Sequence, residues 1–184
     1  MQVLSWNLRP WQLGLLLGLL ALSATAQEPT PNPAEVRGER VRQVVEGILA
    51  YSRWPQPKDQ IALCITGPTQ YADRLLAGVS RDYEIPVSGR RLLQDSADLE
   101  TTCDALYIGI LDPGSRRRLL GRLADKPVLT ISESADACSD GSLFCLDIEN
   151  THVSFAVNLD AVARSGLRIH PQVLQLGRRN RAQP

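Results

Sequence analysis

Apolar and polar positions change period several times along the chain, and each change marks an element. In PAEVRGERVRQVVEGILAYSRWP, Val36, Val41, Val44, Val45, Ile48 and Leu49 recur at helical spacing until Pro55 stops the run, which predicts a long amphipathic first helix. QIALCIT, DALYIGI and KPVLTIS are short unbroken apolar runs, the pattern of strands buried on both faces. YEIPVSGRRLL reads as a weaker strand. Between these runs, GPTQYADRLLAGVS predicts a helix headed by Pro68 or Thr69 and ending near Gly78, and SRRRLLGRLAD predicts another. Strands alternating with helices imply a mostly parallel sheet covered on both faces.

After Ser132 the alternation changes. LFCLDIE and THVSFAVN are strand-like runs separated by little more than Glu149-Asn150, which predicts a hairpin from Leu143 to Asn158. Val153, Phe155 and Val157 fall on one face of its second strand, and His152, Ser154 and Ala156 on the other, so His152 is assigned to the solvent side. NLDAVARSG then reads as a helix with Asn158 as N-cap and Gly166 as its stop, followed by LRIHPQVLQLG as an extended segment and a short last helix. The expected fold class is α/β: a single domain, mostly parallel sheet flanked by helices, with a C-terminal antiparallel hairpin.

The N-terminus follows different rules. Arg9 is the one charge before an apolar run from Trp11 to Leu22, which leads to Ala24-Thr25-Ala26. That is the order of a secretory signal peptide with cleavage near Gln27, and the run is shorter than the roughly 20 residues a spanning helix needs. Residues 1–26 are therefore read as a signal peptide, 27–34 as a flexible leader and 35–184 as the domain, secreted into an oxidising envelope. Lys plus Arg and Asp plus Glu are equal at 20 each, which offers no electrostatic case for nucleic acid. The Arg116-Arg117-Arg118 cluster is read as a solvated helix face.

An oxidising compartment makes the four cysteines a disulfide framework, for which four cysteines allow three pairings. Zinc spacing and C-x-x-C are absent, so neither a metal site nor a thioredoxin-like couple is expected. In ACSDGSLFC, Gly141 lets the turn bring Cys138 back over Cys145, with Asp140 able to bond nearby backbone amides. The expected bonds are Cys138–Cys145 and, as the second pair, Cys64–Cys103. The second pair is the candidate redox-sensitive element, because a strained or exposed bond is the easier to reduce.

No nucleophile elbow, dinucleotide fingerprint, Walker loop or zincin motif occurs, so no catalytic residue and no cofactor are assigned. An alternative function is small-molecule sensing, at the crevice of a parallel sheet or at ITGPTQ, whose amides head a predicted helix where an anion could dock.

The run VSFAVNLDAVARSGLRIHPQVLQLG, with YSRWP, CITG and PVLTISE, resembles the YfiR-like family of periplasmic proteins across nearly all of the mature chain. The cysteine placement resembles the subgroup that represses a membrane diguanylate cyclase. The resemblance implies a negative regulator that binds the periplasmic sensory domain of an inner-membrane diguanylate cyclase, and an outer-membrane, peptidoglycan-binding OmpA-like lipoprotein that sequesters it. A homodimer is left open. The docking surface is placed in the C-terminal third, at Phe144, Leu167, Ile169 and Val173.

Overall fold

The computed structural model describes residues 32–77, 85–150 and 152–179. Helix α1 spans Pro33–Ala50, and the Asn32 side chain caps it by accepting from the Ala34 amide, so the helix starts within the last residues assigned to the leader. The assigned signal peptide, and the predicted helix end near Gly78, lie outside the described residues.

The main sheet has strands β2 (Ile61–Thr66), β3 (Val87–Arg91), β4 (Ala105–Ile108), β5 (Leu129–Ser132), β6 (Phe144–Ile148) and β7 (Val153–Val157). Their order is β3-β2-β4-β5-β6-β7, parallel throughout except that β7 runs antiparallel to β6. The predicted hairpin thus joins the sheet through its first strand. Short helices α2 (Asp73–Leu76) and α3 (Asp98–Thr101) and the longer α4 (Pro113–Leu123) make the crossovers. The chain closes with α5 (Leu159–Ser165), capped by Asn158, and α6 (Val173–Arg179).

The sheet separates two cores, and the strand period of two sorts side chains between them. On one side Leu63, Ile65, Ala105, Tyr107, Leu129, Ile131, Phe144, Leu146 and Val153 pack against Val41, Val44, Val45, Ile48 and Leu49 of α1, with Leu75, Ala161 and Val173 from the other helices. On the other, Cys64, Leu106 and Ile108 pack against Leu99, Cys103 and the α4 residues Leu119, Leu120 and Leu123. Burial on both sides explains the unbroken apolar runs of β2, β4 and β5.

Two predicted features differ in detail. The helix expected from Pro68 or Thr69 begins only at Asp73, because Pro68 and the amides after it are committed elsewhere: the Pro68 carbonyl accepts from the Ile110 amide at 2.7 Å. The turn around Ser139 is the end of a 3-10 helix, Ala135–Asp140, which stops at Gly141 with φ 109°, a conformation that suits glycine. A further antiparallel pair was not anticipated: β1 (Ser52–Arg53) pairs with β8 (Arg168–Ile169), tying the end of α1 to the segment before α6.

Candidate functional site

Both disulfides are present, Cys64–Cys103 and Cys138–Cys145, each with Cα atoms 5.7 Å apart. Cys64 lies in β2 and Cys103 just after α3, so that bond sits within the second core and fastens α3 to the sheet. Both of its cysteines are buried, whereas Cys138 is half-exposed beside a buried Cys145. Residue exposure therefore makes the Cys138–Cys145 bond the more accessible to a reductant, and exposure is not what would make Cys64–Cys103 sensitive.

The four apolar residues assigned to docking are not one surface. Phe144 is fully buried between β5 and β7 and meets Phe155 edge-on at 5.6 Å between centroids. Leu167 and Val173 are also core residues, packed in the cluster that includes α1. A folded molecule cannot offer these three to a partner; position near the chain end did not expose them, because α6 packs back on α1 and β7. Ile169 differs: it is half-buried, in β8, opposite Ser52. His152 stands 3.3 Å from the Glu149 carboxylate, with its side chain 23% exposed.

The anion-docking loop is already filled. The Glu133 carboxylate, just beyond β5, accepts from the Gln70 amide at 3.0 and 3.1 Å and from the Tyr71 amide at 3.0 Å. The same carboxylate accepts from the Tyr107 hydroxyl at 2.9 Å. Burial first, and then the charge of Glu133, push the Tyr107 phenol well above its ordinary pKa. Gly109 completes the closure, since a Cβ there would lie 2.0 Å from the Pro68 carbonyl oxygen. The ends of β2, β4 and β5 are thus knitted together by the chain itself. The ligand position expected of ITGPTQ is taken by an internal carboxylate.

A second concavity lies where β1 meets β8. Arg53 stands directly opposite Arg168 in the antiparallel register, an unfavourable like-charge pair. Among the described residues neither guanidinium forms an ion pair; Arg53 donates instead to the Ala50 and Ser52 carbonyls at 2.6 and 2.8 Å. Tyr51 stacks on His170 at 6.0 Å, and the cavity between these groups measures about 430 Å³. Ile169 lines it. Two opposed arginines without acids form a site suited to an anion.

A sequence profile described as YfiR/HmsC-like matches residues 39–178, from the first turns of α1 into α6. The chain belongs to the YfiR/HmsC-like family. The matched span includes every strand among the described residues, both disulfides and the β1–β8 pair. The role attached to the family is periplasmic regulation and not catalysis.

One structurally decisive residue escaped the sequence reading. Arg116, assigned to a solvated face, is only 4% exposed. Its guanidinium reaches Asp136 at 2.7 Å and Asp140 at 2.6 Å, with Nε donating to Asp140 at 2.8 Å. Asp140 therefore binds an arginine and not the neighbouring amides. Burial alone would lower the Arg116 pKa, but bonds from both carboxylates outweigh it and the net direction is upward; the Ser134 hydroxyl, then Arg116, hold Asp136 below its ordinary value. The signal was legible: Arg116 lies at i to Leu119, Leu120 and Leu123 at i+3, i+4 and i+7, on the buried face of α4.

Proposed function

We propose that this protein is a periplasmic negative regulator that binds the sensory domain of an inner-membrane diguanylate cyclase and represses cyclic di-GMP synthesis. An outer-membrane, peptidoglycan-binding OmpA-like lipoprotein sequesters it and relieves the repression. The observation that carries this reading is membership of the YfiR/HmsC-like family over a span that includes the whole described sheet. Two disulfides in a domain of this size support an envelope location and a fold whose stability depends on oxidation. Of the residues assigned to docking, Ile169 is the one whose side chain remains accessible, beside exposed Arg168 and Arg53.

The test is genetic. Deleting the gene should raise cyclic di-GMP and promote biofilm, and the rise should vanish when the cognate cyclase is deleted as well. A rise that persists in the double deletion removes the mechanism.

A second reading, sensing of a small anion, is favoured by the opposed arginines at β1–β8. Calorimetric titration with small carboxylates and inorganic phosphate should detect binding that is lost in Arg53→Met and Arg168→Met. Equal heats from wild type and both variants would exclude that site.

A further inference from the structure

We infer that Arg116 pre-organises the Cys138–Cys145 disulfide, by holding the turn that carries Cys138 in bonding position whether or not the bond is made. The two carboxylates that grip Arg116 belong to Asp136 and Asp140, which flank Cys138 on either side within the same 3-10 helix. One guanidinium on α4 therefore clamps both ends of the turn. Three further bonds leave the sulfurs out. The Asn158 amide donates to the Cys138 carbonyl at 2.8 Å, while its oxygen caps α5. The Ser142 amide donates to the Ala137 carbonyl at 3.2 Å, and the Ser132 and Ser142 hydroxyls bond at 3.1 Å. Cys145 is fixed independently, in β6 between Ser132 of β5 and Ala156 of β7.

None of these contacts needs the S–S bond, so they persist in the dithiol and keep the two sulfurs close. Glutathione reduces the bond by exchange: two glutathione thiols become one glutathione disulfide, and their two protons end on Cys138 and Cys145. The position of that equilibrium depends on how much freedom the turn gains when the bond breaks. In the disulfide the turn is pinned by the sulfurs as well as by Arg116; in the dithiol it is pinned by the clamp and the backbone bonds. Loss of the clamp therefore releases the dithiol more than the disulfide, and it shifts the equilibrium toward reduction. Cys138 is the more exposed of the two residues, so such exchange is expected to start there. This deepens the oxidation-dependent stability proposed above, yet it is read on purified protein without a cyclase, so its failure leaves the repressor reading untouched.

The experiment equilibrates the full mature chain in glutathione buffers, traps free thiols by alkylation and quantifies both pairs by peptide mass spectrometry. In Arg116→Met the equilibrium constant for forming Cys138–Cys145 from its dithiol and glutathione disulfide should fall about tenfold, within the range of coupling between contacting groups, while that for forming Cys64–Cys103 stays within about twofold. Asp140→Asn, which keeps a hydrogen-bonding oxygen, should lower it by about threefold and serves as the decisive variant if Arg116→Met does not fold. A folded variant in which the Cys138–Cys145 constant is unchanged would overturn the inference. So would an equal fall for both pairs, which would report general loosening instead of a clamp.

Discussion

The bond from Tyr107 to Glu133 is the most incisive place to perturb the strand-end closure. Tyr107 has no exposed surface, and its hydroxyl donates to a carboxylate that also serves the Gln70 and Tyr71 amides. Tyr107→Phe removes one hydrogen bond to a charged acceptor and should cost about 1.5 kcal/mol. Glu133→Ala strands the phenolic hydroxyl in the core and leaves the two amides to water; stranding dominates, because the amides lie nearer the surface, and about 3 kcal/mol is expected. In the Glu133→Ala background Tyr107→Phe removes the stranded hydroxyl and should restore about 2 kcal/mol, giving a coupling of about 3.5 kcal/mol. Urea unfolding followed by circular dichroism, without reductant, measures all four corners of the cycle. A coupling below about 0.3 kcal/mol would refute the closure as an energetic unit. The pH dependence gives an independent reading. The folded-state pKa of Tyr107 is raised, so its contribution is complete below the unfolded phenol pKa near 10 and is lost as pH rises beyond it. Tyr107→Phe should flatten that alkaline loss.

Gly109→Ala must drive a Cβ to within 2.0 Å of the Pro68 carbonyl oxygen, so it should cost more than about 3 kcal/mol or prevent folding; wild-type stability in the same urea assay would show that the two loops can part. Replacing Cys138 and Cys145 together by alanine should cost about 2.5 kcal/mol, and replacing Cys64 and Cys103 about 4, because the second loop is longer. Reduction of Cys64–Cys103 requires opening of the second core, so its rate should rise in sub-denaturing urea more steeply than that of Cys138–Cys145; parallel rates would mean that burial does not protect it. Ile169→Asp should abolish repression in a cell-based cyclic di-GMP assay while the purified variant keeps its circular dichroism, and full repression would move the interface elsewhere.

Much of this architecture was legible because its signals are local. Strands β2, β4 and β5 are buried on both faces, so they announce themselves as apolar runs, and α1 carries its apolar face over many turns. Asn158 and Gly166 bound α5 by chemistry that needs no distant partner. What escaped depends on contacts between segments far apart. Strands β1 and β8 have two residues each, too few for a period, and exist through each other. Helix α3 is equally too short to show one. The start of α2 was misplaced because Glu133, remote in sequence, occupies the amides that would have headed it. Phe144 was read as a docking residue since alternation separates the faces of a strand but cannot say that both are covered. Arg116 was read by its charged neighbours, when its spacing to Leu119, Leu120 and Leu123 put it on the buried stripe.

The central claim is repression of a cyclase by direct contact, and the most direct measurement uses purified components. Oxidised mature protein should be titrated onto membrane vesicles that carry the cognate diguanylate cyclase with its sensory domain facing the added protein, and cyclic di-GMP formation from GTP followed. Inhibition that saturates near one protein per cyclase sensory domain, and that is reversed by the OmpA-like lipoprotein, is the predicted result. An undiminished rate of synthesis at saturating concentrations of folded, disulfide-bonded protein would contradict the account.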